Sequence, residues 1–250
     1  MKRMILGMSV VAAMLFAASS ALAGGLNLAW NNCASEGGVS NRAGACAVNT
    51  GSNSLTGSFV PNANIAAVTG IEIVIDLIAG DGVSVLPAWW EVSGVGNCRA
   101  GALTMNATVN AANTICNDWA SGGGAGGLAA YDPSGTIASV NQPAHRRIKG
   151  GIAVAAASAA DLFAVNEYFA FNALINNSKS VGVGSCAGCT TPVCIVLNSI
   201  NVVPGTNPSQ FIGSGTSATS NFATWQGVGP SCALVPTKNA TWGQVKALYH

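Results

Sequence analysis

The sequence predicts an all-β protein, more specifically an antiparallel β-sandwich of the jelly-roll type with a short C-terminal helix. Apolar residues recur with a period of two along several short runs, which is the spacing of a strand rather than of a helix. Polar turn sequences separate these runs, and many short strands joined by turns are typical of sandwiches and barrels. Eight cysteines add the expectation of disulfide bonds.

The clearest strand pattern lies in residues 70–78, where Ile71, Ile73, Ile75 and Leu77 occupy every second position. Because the side chains of a strand alternate between its two faces, this strand has one strongly apolar face. Weaker patterns predict strands over 26–30, 54–60, 148–154, 165–176 and 194–203. In residues 165–176, Phe169 and Phe171 are predicted to lie on the same side of the strand. From these runs we expect five side chains to be buried: Ile73, Ile75, Phe169, Phe171 and Leu197.

Helices are expected to be minor elements. Residues 155–163 have the composition for one or two helical turns, and residues 241–249 form the expected C-terminal helix, with Thr241 as its N-cap. Residues 121–127 are rich in glycine, which predicts a flexible loop. This loop is not expected to bind phosphate, because no Gly-Lys-Ser/Thr sequence follows it. We find no convincing internal repeat.

The first 23 residues have the features of a secretory signal peptide. Lys2 and Arg3 are followed by an apolar stretch and then by Ala21-Leu22-Ala23, a small-residue cleavage site. We therefore expect residues 1–23 to be removed and residues 24–250 to form one disulfide-bonded β domain. The protein is expected to be exported to the periplasm, the cell surface or the medium, where disulfides form.

The chain carries few charges for its length. Charged residues make up 8% of it, and removal of Lys2 and Arg3 leaves eight basic and nine acidic residues. Nucleic acid is therefore excluded as an expected partner, because binding phosphates requires a basic surface. A nearly neutral surface has little self-repulsion, so self-association is easier than usual. No later stretch is long and apolar enough to predict a transmembrane helix or anchor.

All eight cysteines lie after the expected cleavage site, which predicts disulfides rather than free thiols. Proximity in sequence suggests Cys33–Cys46 and Cys98–Cys116. The other four, Cys186, Cys189, Cys194 and Cys232, have three possible pairings, of which Cys189–Cys194 with Cys186–Cys232 is the favoured one. Cys186-Ala-Gly-Cys189 also has the spacing of a redox pair or of half a zinc site. An exported chain with no thioredoxin-like pattern favours structural bridges.

Several segments together resemble a group of exported, cysteine-rich bacterial proteins whose function is unknown. They are Asn-Glu-Tyr-Phe-Ala-Phe at 166–171, Ile-Asn-Asn-Ser-Lys at 175–179, Gly-Ser-Cys-Ala-Gly-Cys at 184–189, Pro-Val-Cys-Ile-Val-Leu-Asn-Ser-Ile at 192–200, Ala-Thr-Trp-Gln-Gly at 223–227 and Thr-Trp-Gly-Gln-Val-Lys at 241–246. The resemblance covers most of the chain after the signal peptide. It implies bacterial export and a single domain, and it transfers no activity and no site residue.

No catalytic residue is expected. His145 is the one internal histidine, and its position before Arg146-Arg147 predicts a solvated loop residue. Glu72 and Asp76 share a strand face at roughly 13 Å, which is too far for a glycosidase pair. The same two carboxylates are expected to form surface ion pairs with Arg147 or Lys149.

Gly80-Asp81-Gly82 is the nearest approach to a calcium-binding loop, but it lacks the further acidic ligands such a loop needs. We interpret it as a turn. No cofactor and no metal ion is expected anywhere in the chain.

The tandem tryptophans Trp89 and Trp90 contain the one residue that we predict to bind a ligand. If Trp89 and Trp90 are consecutive strand residues, they point to opposite faces. Glu91 most needs water, so Trp89, which shares its face, is predicted to be the exposed binding residue and Trp90 a core residue.

The favoured function is a non-catalytic secreted or surface module that binds a ligand or has a structural role. Its expected partner is a glycan or another surface protein. A carbohydrate-binding module using an exposed Trp and a secreted hydrolase with unassigned carboxylates are the two alternatives.

Overall fold

The computed structural model describes residues 24–82, 84–109, 116–132, 145–206, 208–213 and 220–227. Twelve strands lie in these ranges: β1 (Gly25–Trp30), β2 (Asn41–Arg42), β3 (Ser52–Val60), β4 (Ile65–Ala79), β5 (Leu103–Asn106), β6 (Ala125–Asp132), β7 (His145–Ala153), β8 (Ala160–Leu162), β9 (Tyr168–Asn176), β10 (Val193–Pro204), β11 (Gln210–Gly213) and β12 (Phe222–Trp225). About half of the described residues are in strands, which confirms the all-β prediction.

The strands form two sheets. The smaller sheet has the order β1-β3-β9-β5, and all its pairs are antiparallel. The larger sheet has the order β2-β12-β10-β4-β7-β6, with β11 added beside β10 and β8 beside β4. Among the described strands of this sheet, one pair is parallel, and it joins β12 to the two-residue strand β2. The long central strands β4 and β10 form the most extensive ladder in the molecule.

Both sheets contribute side chains to one hydrophobic cluster. Ile71, Ile73, Ile75 and Leu77 enter it from β4, each at most 2% exposed, so the predicted apolar face of this strand is confirmed. Ile195, Leu197 and Ile200 enter it from β10. Phe59, Leu55 and Phe171 reach it from the smaller sheet. The five predicted core residues Ile73, Ile75, Phe169, Phe171 and Leu197 are all buried.

A bulge in β9 changes the face on which its aromatic residues lie. The register between β3 and β9 shifts between Gly57 and Ser58, which pair with Phe171 and Phe169. Phe171 therefore packs into the main cluster, whereas Phe169 packs with Cys33 and Cys116 in a separate cluster. The even spacing of 169 and 171 predicted one shared side, and that prediction is wrong because a bulge adds one residue to the strand.

Glycines allow the two sheets to approach closely at one side. A methyl group at Gly127 of β6 would overlap the carbonyl oxygen of Met105 in β5, and one at Gly150 of β7 would overlap the Met105 sulfur. The predicted glycine-rich loop 121–127 is shorter than expected, because strand β6 already begins at Ala125. These glycines serve close packing rather than loop flexibility alone.

Helical structure is limited to single 3₁₀ turns in the described part of the chain. Residues 155–163 contain one such turn, Ala156–Ser158, and then continue into β8 rather than into further helix. The expected helix over 241–249 and the expected signal peptide over 1–23 lie outside the described residues. None of the helices described is long and apolar enough to cross a membrane.

Candidate functional site

Three disulfides join cysteines that are far apart in the sequence. The bonded pairs are Cys33–Cys116, Cys46–Cys189 and Cys98–Cys186, separated by 83, 143 and 88 residues. The predicted pairs Cys33–Cys46 and Cys98–Cys116 are therefore wrong. The favoured pairs Cys189–Cys194 and Cys186–Cys232 are wrong as well.

Proximity in sequence failed for the first two predicted pairs because strand β2 lies between Cys33 and Cys46, and strand β5 lies between Cys98 and Cys116. Cys186 and Cys189 bond to different loops, which rules out a redox pair between them and their joint use as thiolate ligands. Cys194, in β10, is also disulfide-bonded. The position of Cys232 lies outside the described residues.

Two of these bonds hold three loops together at one end of the molecule. We call residues 43–51, 84–101 and 178–192 the disulfide-linked loops. Cys46–Cys189 connects the first loop to the third, and Cys98–Cys186 connects the second to the third. A side-chain oxygen of Asn49 also accepts hydrogen bonds from the backbone nitrogens of Ser180 and Val181, at 2.8 and 3.0 Å.

The Cys98–Cys186 bond joins two turns of the same design, which we call the twin turns. One is Gly94-Val95-Gly96-Asn97 and the other is Gly182-Val183-Gly184-Ser185. In each, the nitrogen of the fourth residue donates to the carbonyl of the first, at 3.3 and 3.1 Å. The third residues, Gly96 and Gly184, have φ of 84° and 78°, which a type II turn requires and glycine tolerates best.

The valine of each twin turn is fully exposed. Relative exposure is 107% for Val95 and 111% for Val183, the two highest values among the exposed large apolar residues of the described chain. The sequence contains the signal for this arrangement, since Gly-Val-Gly-x-Cys occurs at 94–98 and again at 182–186. It is too short to count as a repeat, and only the disulfide shows that the two copies are neighbours.

Trp89 belongs to the second of the disulfide-linked loops and is not exposed. Ala88–Trp90 forms a 3₁₀ turn rather than a strand, so the two adjacent indole rings are not forced to opposite faces. Trp89 and Trp90 are both 0% exposed. The prediction that Trp89 is an exposed binding residue is wrong, whereas the prediction that Trp90 belongs to the core is confirmed.

The ring of Trp89 is enclosed on both faces. The guanidinium carbon of Arg99 lies 3.5 Å from the ring centroid on one face, and Trp225 stacks on the ring at a centroid distance of 4.9 Å. The indole nitrogen donates to Oγ of Ser180 at 2.9 Å. Trp89 therefore joins the second loop to Ser180 of the third loop and to Trp225 of β12, and its ring is closed to solvent.

Arg99 is 1% exposed, which is unusual for a cation. It donates hydrogen bonds to the backbone carbonyls of Trp89, Asn176 and Ser178. Burial lowers the pKa of Arg99 to about 10. The charge is balanced by oriented carbonyl dipoles and the indole ring, so Arg99 links the second and third loops to the end of β9.

A second polar cluster lies on the larger sheet, centred on Asp76. Arg147 donates to both carboxylate oxygens, with Nε 2.8 Å from Oδ1 and Nη2 3.0 Å from Oδ2. Asn198, the extra residue of a bulge in β10, donates to Oδ2 at 2.5 Å. Nε2 of His145 lies 3.2 Å from Oδ1.

This cluster corrects two predictions. Asp76 and His145 are each 2% exposed, so His145 is not a solvated loop residue and the Asp76–Arg147 pair is not a surface ion pair. Glu72, by contrast, is exposed and accepts a hydrogen bond from Asn201 at 2.9 Å.

The electrostatics of the cluster favour the charged carboxylate. Burial alone would raise the pKa of Asp76, but its polar contacts with His145, Arg147 and Asn198 outweigh burial and hold that pKa below its usual value. Both carboxylate oxygens of Asp76 accept hydrogen bonds and are closed to solvent. The cluster therefore cross-links neighbouring strands of the larger sheet, and Asp76 is not accessible as a catalytic base.

The remaining candidates are structural. Residues Gly80 and Asp81 form a turn, as predicted, in which a carboxylate oxygen of Asp81 accepts from the nitrogen of Ser84 at 2.9 Å. No group of three or more potential metal ligands occurs among the residues the structure describes. No protein-family model, curated protein or solved structure matches the chain.

Proposed function

We propose that this protein is an exported, non-catalytic binding or structural module whose contact surface is formed by the disulfide-linked loops. The single observation that carries the proposal is the pair of fully exposed valines on the twin turns, tied to each other by Cys98–Cys186. Exposing an apolar side chain at the tip of a rigid turn contributes nothing to the stability of the isolated protein.

Rigidity is the second support for this surface. A contact surface that is already ordered loses little conformational entropy when it binds. Two disulfides, the Asn49 hydrogen bonds and the buried Arg99 each restrict the same loops. Lys179 adds another restraint, because its Nζ donates to the carbonyl of Cys98 at 2.8 Å.

The proposal includes the expected export and the finer fold. Three disulfides support an oxidising compartment, in agreement with the signal-peptide pattern of residues 1–23. The shared cluster between the two sheets supports a sandwich of the jelly-roll type, formed by residues 24–250 as one domain. A bacterial source and a short C-terminal helix remain part of this proposal.

Binding assays on the purified mature protein test the function. A glycan array and a panel of surface proteins are probed with the wild type, with a Val95→Ser/Val183→Ser variant and with Val165→Ser. Val165 is 71% exposed and lies outside the disulfide-linked loops, so it is the matched control. We expect the double variant to lose at least about tenfold in affinity for any ligand found, and the control to bind as the wild type does.

The secreted hydrolase remains the alternative, because nine acidic residues leave carboxylates to consider. Chromogenic glycosides separate the two functions. Turnover that disappears when a single exposed carboxylate is replaced by its amide would contradict a non-catalytic module. Ligand binding without turnover, sensitive to the twin-turn valines, would support it.

A further inference from the structure

We propose that the partner of the disulfide-linked loops is a second copy of the same chain, related by a two-fold axis that brings the twin turns of the two copies together. This inference rests on the proposed function, because it uses the same contact surface. It adds the identity of the partner and the symmetry of the contact.

The exposed apolar surface is concentrated at this end of the molecule. Nine large apolar residues are exposed in the described chain, and five of them belong to the disulfide-linked loops: Val48, Val85, Val95, Val181 and Val183. All five are valines, so the large apolar side chains exposed on these loops are all aliphatic. Such a surface fits another aliphatic surface better than it fits a sugar or a charged peptide.

The twin turns give this surface an internal symmetry. They have the same sequence pattern, the same turn hydrogen bond and the same left-handed glycine, and one disulfide joins them. In a two-fold contact the same patch faces itself, so residue i of one copy meets residue j of the other and the reverse. The proposed contact pairs Val95 of each copy with Val183 of the other.

Charge on these loops is also compatible with self-pairing. The three loops contain three charged residues, Glu91, Arg99 and Lys179, and Arg99 is buried. Glu91 and Lys179 are both anchored at Cys98, where the carboxylate faces the backbone nitrogen at 3.4 Å and the ammonium donates to the carbonyl. The proposed contact pairs the exposed Lys179 of each copy with Glu91 of the other, so that the surface is complementary to itself in charge.

The whole-chain charge sets no barrier to this contact. Eight basic and nine acidic residues remain after the expected signal peptide, so two copies barely repel each other. A stable dimer generally buries about 800 Å² on each partner, which a set of projecting valines does not reach. The expected dimer is therefore weak and depends on protein concentration.

Sedimentation velocity on the oxidised mature protein tests the proposal, over a range from about 10 µM to about 1 mM. We expect a reversible shift from monomer to dimer with rising concentration. Val95→Ser/Val183→Ser should weaken dimerisation at least about tenfold, while Val165→Ser should leave it unchanged. Circular dichroism and thermal melting of each variant confirm that the fold is intact.

A charge exchange tests the symmetry of the contact. Lys179→Glu alone and Glu91→Lys alone each place like charges opposite each other, so each variant by itself should dimerise less than the wild type. An equimolar mixture of the two variants restores both opposite-charge pairs and should form a heterodimer. If the mixture gains nothing over the separate variants, the two-fold arrangement is overturned.

A strictly monomeric protein over the whole range overturns the second copy as partner, as does a dimer that tolerates both valine substitutions. Failure of the dimer proposal can be distinguished from failure of the proposed function. If a monomeric protein binds a glycan, another protein or neutral phosphatidylcholine vesicles through Val95 and Val183, the contact surface is correct and only its partner is wrong.

Discussion

Arg99 and Trp89 form a buried cation–π pair, with the guanidinium carbon 3.5 Å from the centroid of the indole ring. Both residues are at most 1% exposed. Arg99 follows Cys98 in the chain, and its hydrogen bonds connect the loop that contains Trp89 to the carbonyls of Asn176 and Ser178 at the end of β9. A buried polar contact therefore joins the second and third loops in addition to the disulfide Cys98–Cys186.

The two adjacent tryptophans should differ in what their indole nitrogen contributes. Trp89 Nε1 donates to Ser180, whereas Trp90 Nε1 has no hydrogen-bond partner among the described residues. We expect Trp89→Phe to lower the free energy of unfolding by about 1–2 kcal/mol more than Trp90→Phe, since it also weakens the contact with Arg99. Urea denaturation of both variants measures the difference, and equal losses would contradict it.

Asp76 should make stability depend on pH in the acidic range. Its folded pKa lies below the ordinary value of 3.8, so the unfolded chain binds the proton more readily than the folded chain does. The carboxylate's contribution is complete above pH 4 and is lost as the pH falls through the lower folded pKa. The melting temperature should therefore fall steeply below pH 4.

Asp76→Asn should remove that part of the acid dependence and cost about 3 kcal/mol at neutral pH, because the buried Arg147 pair loses its counter-charge. Glu72→Gln is the matched control, since Glu72 is on the same face of β4 but exposed. Melting curves from pH 2 to 7 compare the three proteins. An unchanged acid profile in Asp76→Asn would show that other carboxylates determine it.

The disulfides should stabilise the protein more than short-range pairs would. Restricting loops of 83 to 143 residues contributes on the order of 4–5 kcal/mol each in the chain-entropy treatment. We expect Cys98→Ser/Cys186→Ser to lower the unfolding free energy by about 4 kcal/mol and to weaken any binding by the twin turns. Cys33→Ser/Cys116→Ser should destabilise comparably but leave binding intact, because that bond lies outside the three loops.

The same bonds predict the peptide map of the protein. Digestion without reduction should yield peptides linked through Cys33–Cys116, Cys46–Cys189 and Cys98–Cys186, and thiol labelling of the unfolded, unreduced chain should find no free thiol at these six positions. Recovery of a Cys33–Cys46 peptide would contradict the structure and support pairing by proximity.

Gly57 and Phe171 should be sensitive because they pack directly against each other across β3 and β9. A methyl group at Gly57 would overlap the phenyl ring of Phe171, which is 0% exposed. We expect Gly57→Ala to cost about 1–3 kcal/mol through overpacking and Phe171→Ala about 3–5 kcal/mol through the cavity it leaves. Differential scanning calorimetry measures both, and a loss below about 1 kcal/mol for Phe171→Ala would place that ring outside the core.

The sequence by itself determined six of the twelve described strands and the burial of five core residues on them. The alternation in β4 marks which of its residues face inward, because burial of one sheet face selects apolar residues at every second position. The same reasoning found β1, β3, β7, β9 and β10 and the burial of Ile73, Ile75 and Leu197. These are local properties, and a short stretch of sequence contains the information that decides them.

Only the tertiary structure decided the partners of the cysteines, the environment of the ionisable groups and the exposure of Trp89. Cys98 meets Cys186 and Asp76 meets Arg147 across 88 and 71 residues, and no local pattern records which distant strands become neighbours. Trp89 was misplaced because one 3₁₀ turn replaced the expected strand, and Phe169 because one bulge changed the parity of β9. Side-chain direction depends on each residue's place in a continuous repeat, so a single irregularity reverses it, and only long-range packing determines where that irregularity falls.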